Sequence, residues 1–348
     1  MIPTRSGQKQ RTGQSVMADQ DPRYISITPM KNEGPFVLEW VAHNRAIGID
    51  QMVVMTNDCS DGTDALLQRL HDMGVLIHVD NNSRRKTSPQ KRAYRTFLKM
   101  EVARPQDWVV VIDADEHINV KAGDHTLRAL TDAIPDAKTI SMTWRLFGNA
   151  GVVRYEDRFL SDQFRQAARE KTYRPPQAWG FKTMFQREIW DGLGVHRPKK
   201  PTVETIEECH WYNGSGQLMP ERYYEKSWRS ARDSVGYEFV QVNHYALKSC
   251  ESYLVKKMRG RAHHLGESLG LEYWNMMNQN AETNTSIDVV LDRKRGFYYE
   301  MLSDPEVARL HHASCDLHRQ QIAQLREVPE MQDLMQQMTA EFTANQQA

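Results

Sequence analysis

Short apolar runs separated by polar turns recur along the first third of the chain. Four of them have the length of strands: 24–28, 51–56, 75–79 and 108–112. Apolar residues recur at helical spacing in three segments between them: 36–46, a segment starting near Asp64, and 92–102. This alternation predicts an α/β fold, a mostly parallel sheet with helices on both faces. The nearly continuous run 51–56 is typical of a strand buried on both sides.

The pattern changes after the fourth strand. We predict one more strand over 139–144, whereas residues 147–201 are rich in aromatic, Arg and Gly residues without clean periodicity and indicate a loop-rich acceptor region. Helical spacing returns in 223–231 and 252–260, and beyond Ser286 the chain is amphipathic. We therefore expect three parts in the chain: a disordered leader (1–22), an α/β domain (23–250) and a helical C-terminal extension (251–348).

Composition excludes some classes of function. Lys plus Arg and Asp plus Glu number 45 each among 348 residues, so no net positive field favours nucleic acid, and we expect none as a partner. No apolar stretch is long enough for a membrane span, and the polar first residues lack the apolar core of a secretory signal. This predicts a cytoplasmic protein, with peripheral contact at the inner membrane face if its acceptor is lipid-linked.

The four cysteines are Cys59, Cys209, Cys250 and Cys315, and they are widely separated. No CxxC pair occurs, so their spacing favours reduced thiols over a zinc site or a disulfide framework.

The strongest candidate for chemistry is Asp113-Ala114-Asp115, directly after the apolar run 108–112. Side chains at i and i+2 of an extended segment point the same way, so both carboxylates face one point. Hard oxygen donors at this spacing suit Mg²⁺ or Mn²⁺ completed by diphosphate oxygens and water. Such a cation would neutralise charge on a leaving nucleoside diphosphate.

Polar loops also follow the first two strands. Lys31-Asn32-Glu33-Gly34-Pro35 comes after the first, and Asn57-Asp58-Cys59-Ser60-Asp61-Gly62-Thr63 after the second. Asp61-Gly62 makes a turn and Thr63 or Asp64 can cap the next helix, while Asn57 or Asp58 can also bind a base or ribose. Carboxyl ends of parallel strands share one edge of a sheet, so these loops should meet the acidic triplet.

These three loops, in this order, resemble the pattern of glycosyltransferase family 2. The likeness is closest to a bacterial branch with a Lys-Asn-Glu-Gly start, an Asn-Asp-x-Ser-Asp-Gly-Thr turn and an Asp-Ala-Asp motif, and it covers about residues 24–120. The resemblance implies a GT-A fold and a metal-dependent transfer of sugar from a nucleotide-sugar to a glycan, a lipid-linked sugar or a small molecule.

The same resemblance implies roles for individual residues. Glu33 and Asn57 or Asp58 would lie at the nucleoside, Asp113 near the ribose and on the metal, and Asp115 on the metal. A UDP-sugar is the favoured donor. Asn57 stands where the family usually has Asp, however, so the identity of the base stays open.

Two basic or imidazole-bearing regions are further candidates. The loop from Arg84 to Arg92 is strongly basic and can reach the diphosphate, with Arg92 the best single candidate. By the resemblance, a late histidine supplies a third metal ligand, which indicates His244, with His196 as its rival. Lys248 is a candidate for contact with the diphosphate.

An inverting displacement needs a carboxylate base to take the acceptor proton. By the resemblance this residue lies in the acceptor region, where Glu156, Asp157 and Asp191 are possible; Asp157 is the favoured candidate and Asp191 the alternative. Two other functions stay open: a catalytically silent carbohydrate- or nucleotide-binding protein with the same fold, and a nucleotidyltransferase. The partly acidic loop after the first strand disfavours the nucleotidyltransferase, since such enzymes carry a glycine-rich basic loop there.

Overall fold

The computed structural model describes residues 21–83, 87–205, 207–259 and 269–347, with side chains up to residue 340. Residues 1–20 of the predicted leader, and Arg84, Arg85 and Lys86 of the basic loop, lie outside the described residues.

The described chain alternates strands and helices at first and ends in helices. The strands are β1 Tyr24–Met30, β2 Gln51–Thr56, β3 Ile77–Asp80, β4 Trp108–Val111, β5 Glu116–Val120, β6 Thr139–Leu146, β7 Gln166–Ala167, β8 Phe181–Gln186, β9 Trp190–Gly192, β10 Lys199–Pro201, β11 Trp211–Asn213, β12 Val240–His244 and β13 Glu282–Thr283. The α-helices are α1 Val37–Ala46, α2 Thr63–Asp72, α3 Pro89–Met100, α4 Leu127–Ala133, α5 Leu160–Gln163, α6 Arg222–Glu225, α7 Cys250–Arg259, α8 Leu271–Met277, α9 Leu291–Leu302, α10 Pro305–Arg326 and α11 Pro329–Gln347.

The main sheet has the order β3-β2-β1-β4-β8-β6-β12-β5, with β11 beside β6. Strands β3, β2, β1 and β4 are parallel to one another, whereas β8 is antiparallel to both β4 and β6. The predicted α/β fold, with a mostly parallel sheet and a C-terminal helical extension, is confirmed.

Alternate residues of the strands serve two separate cores. Met52, Val54 and Val110 pack with α1 and α2 on one face. Val109 and Val111 point to the opposite face, where α3 covers them. This two-sided burial explains why the strands read as continuous apolar runs.

The predicted elements differ from the observed ones mainly at their ends. Helix α3 begins at Pro89 rather than 92, because proline suits the first helical turn. The helix expected over 223–231 is only the single turn Arg222–Glu225.

The C-terminal helices belong to the same hydrophobic core as the sheet. Helix α9 packs on α1, and α10 packs on α2 and α7. The core that contains Tyr24 of β1 also contains Met338 of α11. Among the helices described, none combines the length and the apolar character that crossing a bilayer would require.

Candidate functional site

A cavity of about 760 Å³ opens where β1, β2 and β4 end. Its walls include the three loops identified in the sequence, through Glu33, Asn57, Asp113 and Asp115, and His244 at the end of β12. The common sheet edge predicted for these residues is therefore observed.

Asp113 shares a fully buried lysine with Glu116. Lys182 of the antiparallel strand β8 lies 2.8 Å from Asp113 Oδ2 and 3.2 Å from Glu116 Oε2. Burial alone would lower the pKa of Lys182, but attraction by Asp113 and then Glu116 outweighs it and raises the pKa. The acidic loop is thus anchored to β8 by a permanently charged group.

Asp115 lies between a lysine and a histidine. Its Oδ2 accepts a hydrogen bond from Lys256 Nζ at 2.8 Å, and its Oδ1 lies 3.8 Å from His244 Nε2. Burial alone would raise the pKa of Asp115, but attraction by Lys256 lowers it well below its ordinary value. Burial lowers the pKa of His244 to about 4, so its imidazole is neutral near pH 7.

Glu33 is held by two cations from α7 and the loop before it. Lys248 Nζ lies 3.2 Å from Glu33 Oε2, and Arg259 pairs with Glu33 Oε1. Arg259 also donates to the carbonyl oxygens of Lys31 and Asn32 at 2.9 and 2.6 Å. These contacts fix the loop after β1 in place, and Lys248 lies behind Glu33 rather than among the residues that line the cavity.

The other residues predicted to bind the donor differ in whether they line the cavity. Asn57 is buried and lines the cavity, whereas Asp58 is exposed and its backbone N–H donates to Asn82 Oδ1 at 2.6 Å. Arg92 donates to the carbonyl oxygen of Asn81 at 2.9 Å, and its neighbour Lys91 lines the cavity in its place.

The two predicted bases lie outside this cavity. Asp157 packs against helix α10, 3.3 Å from His311 Nε2. Asp191 is exposed and lies 3.5 Å from Arg187. Neither is among the residues that line the cavity, so their positions add no support to a role as the base.

One wall of the cavity is aromatic. Trp144 lies with its ring 4.4 Å from that of His244 and 5.3 Å from that of His196, and His196 stacks on Trp228 at 4.6 Å. Gly180 lets β8 pass close to Trp144, since a Cβ there would fall on the indole ring. Aromatic rings on a cavity wall can pack against the apolar face of a sugar.

Three cations of the site are not predicted by the sequence: Lys182, Lys256 and Arg259. Lys256 and Arg259 did carry a signal. They lie at helical spacing from each other in the predicted helix 252–260, which follows His244 in the sequence. Lys182 gave no local signal, since its strand joins the sheet out of chain order.

The donor atoms at this site fit a divalent cation. Lys256 occupies Oδ2 of Asp115 and leaves Oδ1 facing Nε2 of His244. The other ring nitrogen of His244, Nδ1, is buried and makes no hydrogen bond among the described residues. A carboxylate oxygen and an imidazole nitrogen on a cavity wall form a partial coordination shell that phosphate oxygens and water can complete.

The sequence model of the family described as "Glycosyltransferase family 92" matches residues 22–213, more than half of the chain. The matched segment contains the sheet edge with Glu33, Asn57, Asp113 and Asp115. The match supports a glycosyltransferase, and membership of family 2, which the motifs resemble, is not shown by it. No protein of curated function matches the chain.

Several solved structures are weakly similar to part of the chain. Staphylococcus aureus TarS is 14% identical, with 48% of this chain and 29% of that chain covered and a TM-score of 0.30. Mycobacterium tuberculosis glucosyl-3-phosphoglycerate synthase, solved with Mn²⁺, UDP and glucosyl-3-phosphoglycerate, is 15% identical over 48% of this chain and 58% of that one, with a TM-score of 0.26. The chain thus spans less than two thirds of either protein, and the likeness is too weak to transfer a ligand or reaction.

Proposed function

The chain belongs to glycosyltransferase family 92, and from that premise we propose that its cavity binds a nucleotide-sugar together with a divalent cation. The observation that carries the proposal is the position of Asp115 Oδ1, 3.8 Å from His244 Nε2 on the wall of a cavity of about 760 Å³. That volume lies in the range of small-molecule sites.

Asp115 and His244 would hold the cation, Mn²⁺ or Mg²⁺, with Asp113 beside them. When bound, the cation supplies charge neutralisation for the diphosphate that leaves the sugar. Lys91, which lines the cavity, is placed to attract the same diphosphate, a role that the sequence suggested for Arg92.

The nucleoside end belongs at the loops after β1 and β2. Asn57 presents an amide that can both donate and accept hydrogen bonds, which suits the edge of a base. Glu33, Asp58 and Lys248 stay proposed contacts of the donor, although only Glu33 lines the cavity. A UDP-sugar is the favoured donor.

The acceptor would lie against the aromatic wall formed by Trp144, His196 and Trp228. We propose an inverting displacement in which a carboxylate removes the proton of the acceptor hydroxyl. Asp157 and Asp191 stay predictions for that base. The proposed acceptors are a glycan, a lipid-linked sugar or a small molecule.

Thermal unfolding tests the proposal most directly. UDP-, GDP- and CMP-sugars are added to the full chain with and without Mn²⁺, and we expect one of them to raise Tm only when Mn²⁺ is present. Asp115→Asn should abolish that shift, while Asp191→Asn, at an exposed carboxylate outside the cavity, should keep it. Absence of any shift in the wild type, or an intact shift in Asp115→Asn, contradicts the proposal.

A second measurement separates transfer from binding alone. The donor that stabilises the chain is incubated with mixed glycan and lipid-linked acceptors, and nucleoside diphosphate release is followed. Release that depends on acceptor supports the transferase. Binding without release identifies a catalytically silent protein. Consumption of added pyrophosphate, which cleaves the nucleotide-sugar to a nucleoside triphosphate and a sugar 1-phosphate, identifies a nucleotidyltransferase.

A further inference from the structure

A second cluster of metal-binding side chains lies away from the cavity. Asp157 precedes α5, and His311 and Cys315 are one helical turn apart on α10. Asp157 Oδ2 is 3.3 Å from His311 Nε2, and Cys315 Sγ is 3.8 Å from that same nitrogen. One donor atom from each residue falls within 4.8 Å of the others.

The three donor atoms converge on one point. A nucleophilic Cys-His-Asp triad would use opposite ring nitrogens, one for the thiol and one for the carboxylate. Here both the carboxylate and the thiol approach Nε2 of His311, while Nδ1 has no hydrogen-bond partner among the described residues. Contacts with a single ring nitrogen do not form a proton relay of that kind, and three donor atoms this close together can bind one ion.

We propose that Asp157, His311 and Cys315 bind Zn²⁺. Zn–N of about 2.0–2.1 Å and Zn–S of about 2.3 Å in a tetrahedron place nitrogen and sulfur about 3.5 Å apart, and nitrogen and oxygen about 3.3 Å apart. The observed separations of 3.8 and 3.3 Å need only a small adjustment. A set of thiolate, imidazole and carboxylate ligands favours Zn²⁺ over Mg²⁺ or Ca²⁺.

The surroundings support such a site. Tyr155 Oη donates to Cys315 Sγ at 3.3 Å, and a hydrogen bond of this kind stabilises a ligating thiolate. A cavity of about 200 Å³ is lined by Asp157 and Tyr298 among others, so it reaches the carboxylate of the three ligands, whereas His311 and Cys315 do not line it.

Cysteine spacing predicted no zinc site, because Cys315 has no second cysteine nearby in the sequence. The spacing of His311 and Cys315 places both on one helix face, and the third ligand comes from a distant loop. An ion bound there would join helix α10 to the loop before α5, independently of any nucleotide-sugar, and would leave Asp191 as the predicted base.

Metal analysis of the full chain tests the site. The protein is stripped with a chelator, given one equivalent of Zn²⁺, desalted and assayed for zinc. In parallel, Co²⁺ replaces Zn²⁺ and its spectrum is recorded. We expect about one retained zinc ion per chain and a thiolate-to-cobalt charge-transfer band in the near ultraviolet.

Matched variants assign the ligands. Cys315→Ser should remove the cobalt band and weaken zinc binding at least tenfold, whereas Cys250→Ser, at a buried thiol of α7, should change neither. Asp115→Asn should keep the zinc, which separates this site from the cavity. No retained zinc in the wild type, or a cobalt spectrum without the thiolate band, overturns the proposal even if Cys315→Ser fails to fold.

Discussion

Lys256 Nζ donates a hydrogen bond to Asp115 Oδ2 at 2.8 Å, and both side chains are largely buried. The two oxygens of the Asp115 carboxylate therefore have different surroundings: Oδ2 is neutralised by Lys256, and Oδ1 faces His244. Lys256 also donates to the carbonyl oxygen of Ala246 at 2.6 Å, so it ties helix α7 to the end of β12.

Lys256→Met should destabilise the fold by about 3 kcal/mol, because it leaves the Asp115 carboxylate buried without its cation. The free energy of unfolding in urea measures the effect. Adding Asp115→Asn to the Lys256→Met variant should restore much of the lost stability, since no charge is then left unpaired. Lys257→Met, next in sequence and paired with the exposed Glu330, is the control and should cost less than about 1 kcal/mol. Equal losses in the two lysine variants would contradict the prediction.

His244→Ala should weaken Mn²⁺ binding by about tenfold or more, because it removes the imidazole that faces Asp115. Titration of Mn²⁺ into the full chain, followed by electron paramagnetic resonance, measures the affinity. His71→Ala, at an exposed position of α2, should bind Mn²⁺ like the wild type. An unchanged titration for His244→Ala would exclude it as a ligand.

Acid should weaken the fold through Asp107. Burial alone would raise the pKa of this fully buried carboxyl, but hydrogen bonds from Arg104 and then Arg23 lower it to about 2. The folded pKa lies below the unfolded value of about 3.9. The contacts of Asp107 with Arg104 and Arg23 therefore stabilise the fold above about pH 4, and this stabilisation is lost as the pH falls towards 2.

Urea unfolding between pH 5 and pH 2.5 measures this loss. Asp107→Asn should be less stable than the wild type at pH 5, and the difference should shrink as the pH falls. A difference that stays constant over this range would contradict the assignment.

Gly180→Ala should destabilise the protein by about 1–3 kcal/mol, since the new Cβ would fall on the ring of Trp144. Because the ring of Trp144 lies 4.4 Å from that of His244, a proposed ligand of the cation, Mn²⁺-dependent donor affinity should fall as well. Gly296→Ala is the control: it lies within α9 with no atom within 4 Å of the new Cβ, and alanine there should stabilise by about 0.5–1 kcal/mol. Thermal unfolding and the donor-induced Tm shift measure both variants.

The sequence predicted the sheet edge well because its signals are local. The apolar runs of β1, β2 and β4 and the polar turns that follow them are adjacent in sequence, and parallel strands bring their carboxyl ends together. Glu33, Asn57, Asp113 and Asp115 could be placed in one cavity on that basis.

The partners of these carboxylates could not be predicted in the same way. Lys182 reaches Asp113 because β8 joins the sheet antiparallel, next to β4, and no spacing in the sequence encodes that insertion. The sequence predicts Asp157 as the base from its position in the acceptor region, yet its neighbours His311 and Cys315 come from a distant helix.

The charge arrangement around the acidic loops has a consequence for synthesis of the chain. Glu33, Asp113, Asp115 and Glu116 emerge from the ribosome before any of the cations that hold them, and the last of these cations is Arg259. Until then the incomplete sheet carries a cluster of like charges, so a fragment ending near residue 150 should be far easier to digest by protease than the full chain. The half of the sheet formed by β1 to β4 is thus stable only once the remainder of the chain has been made.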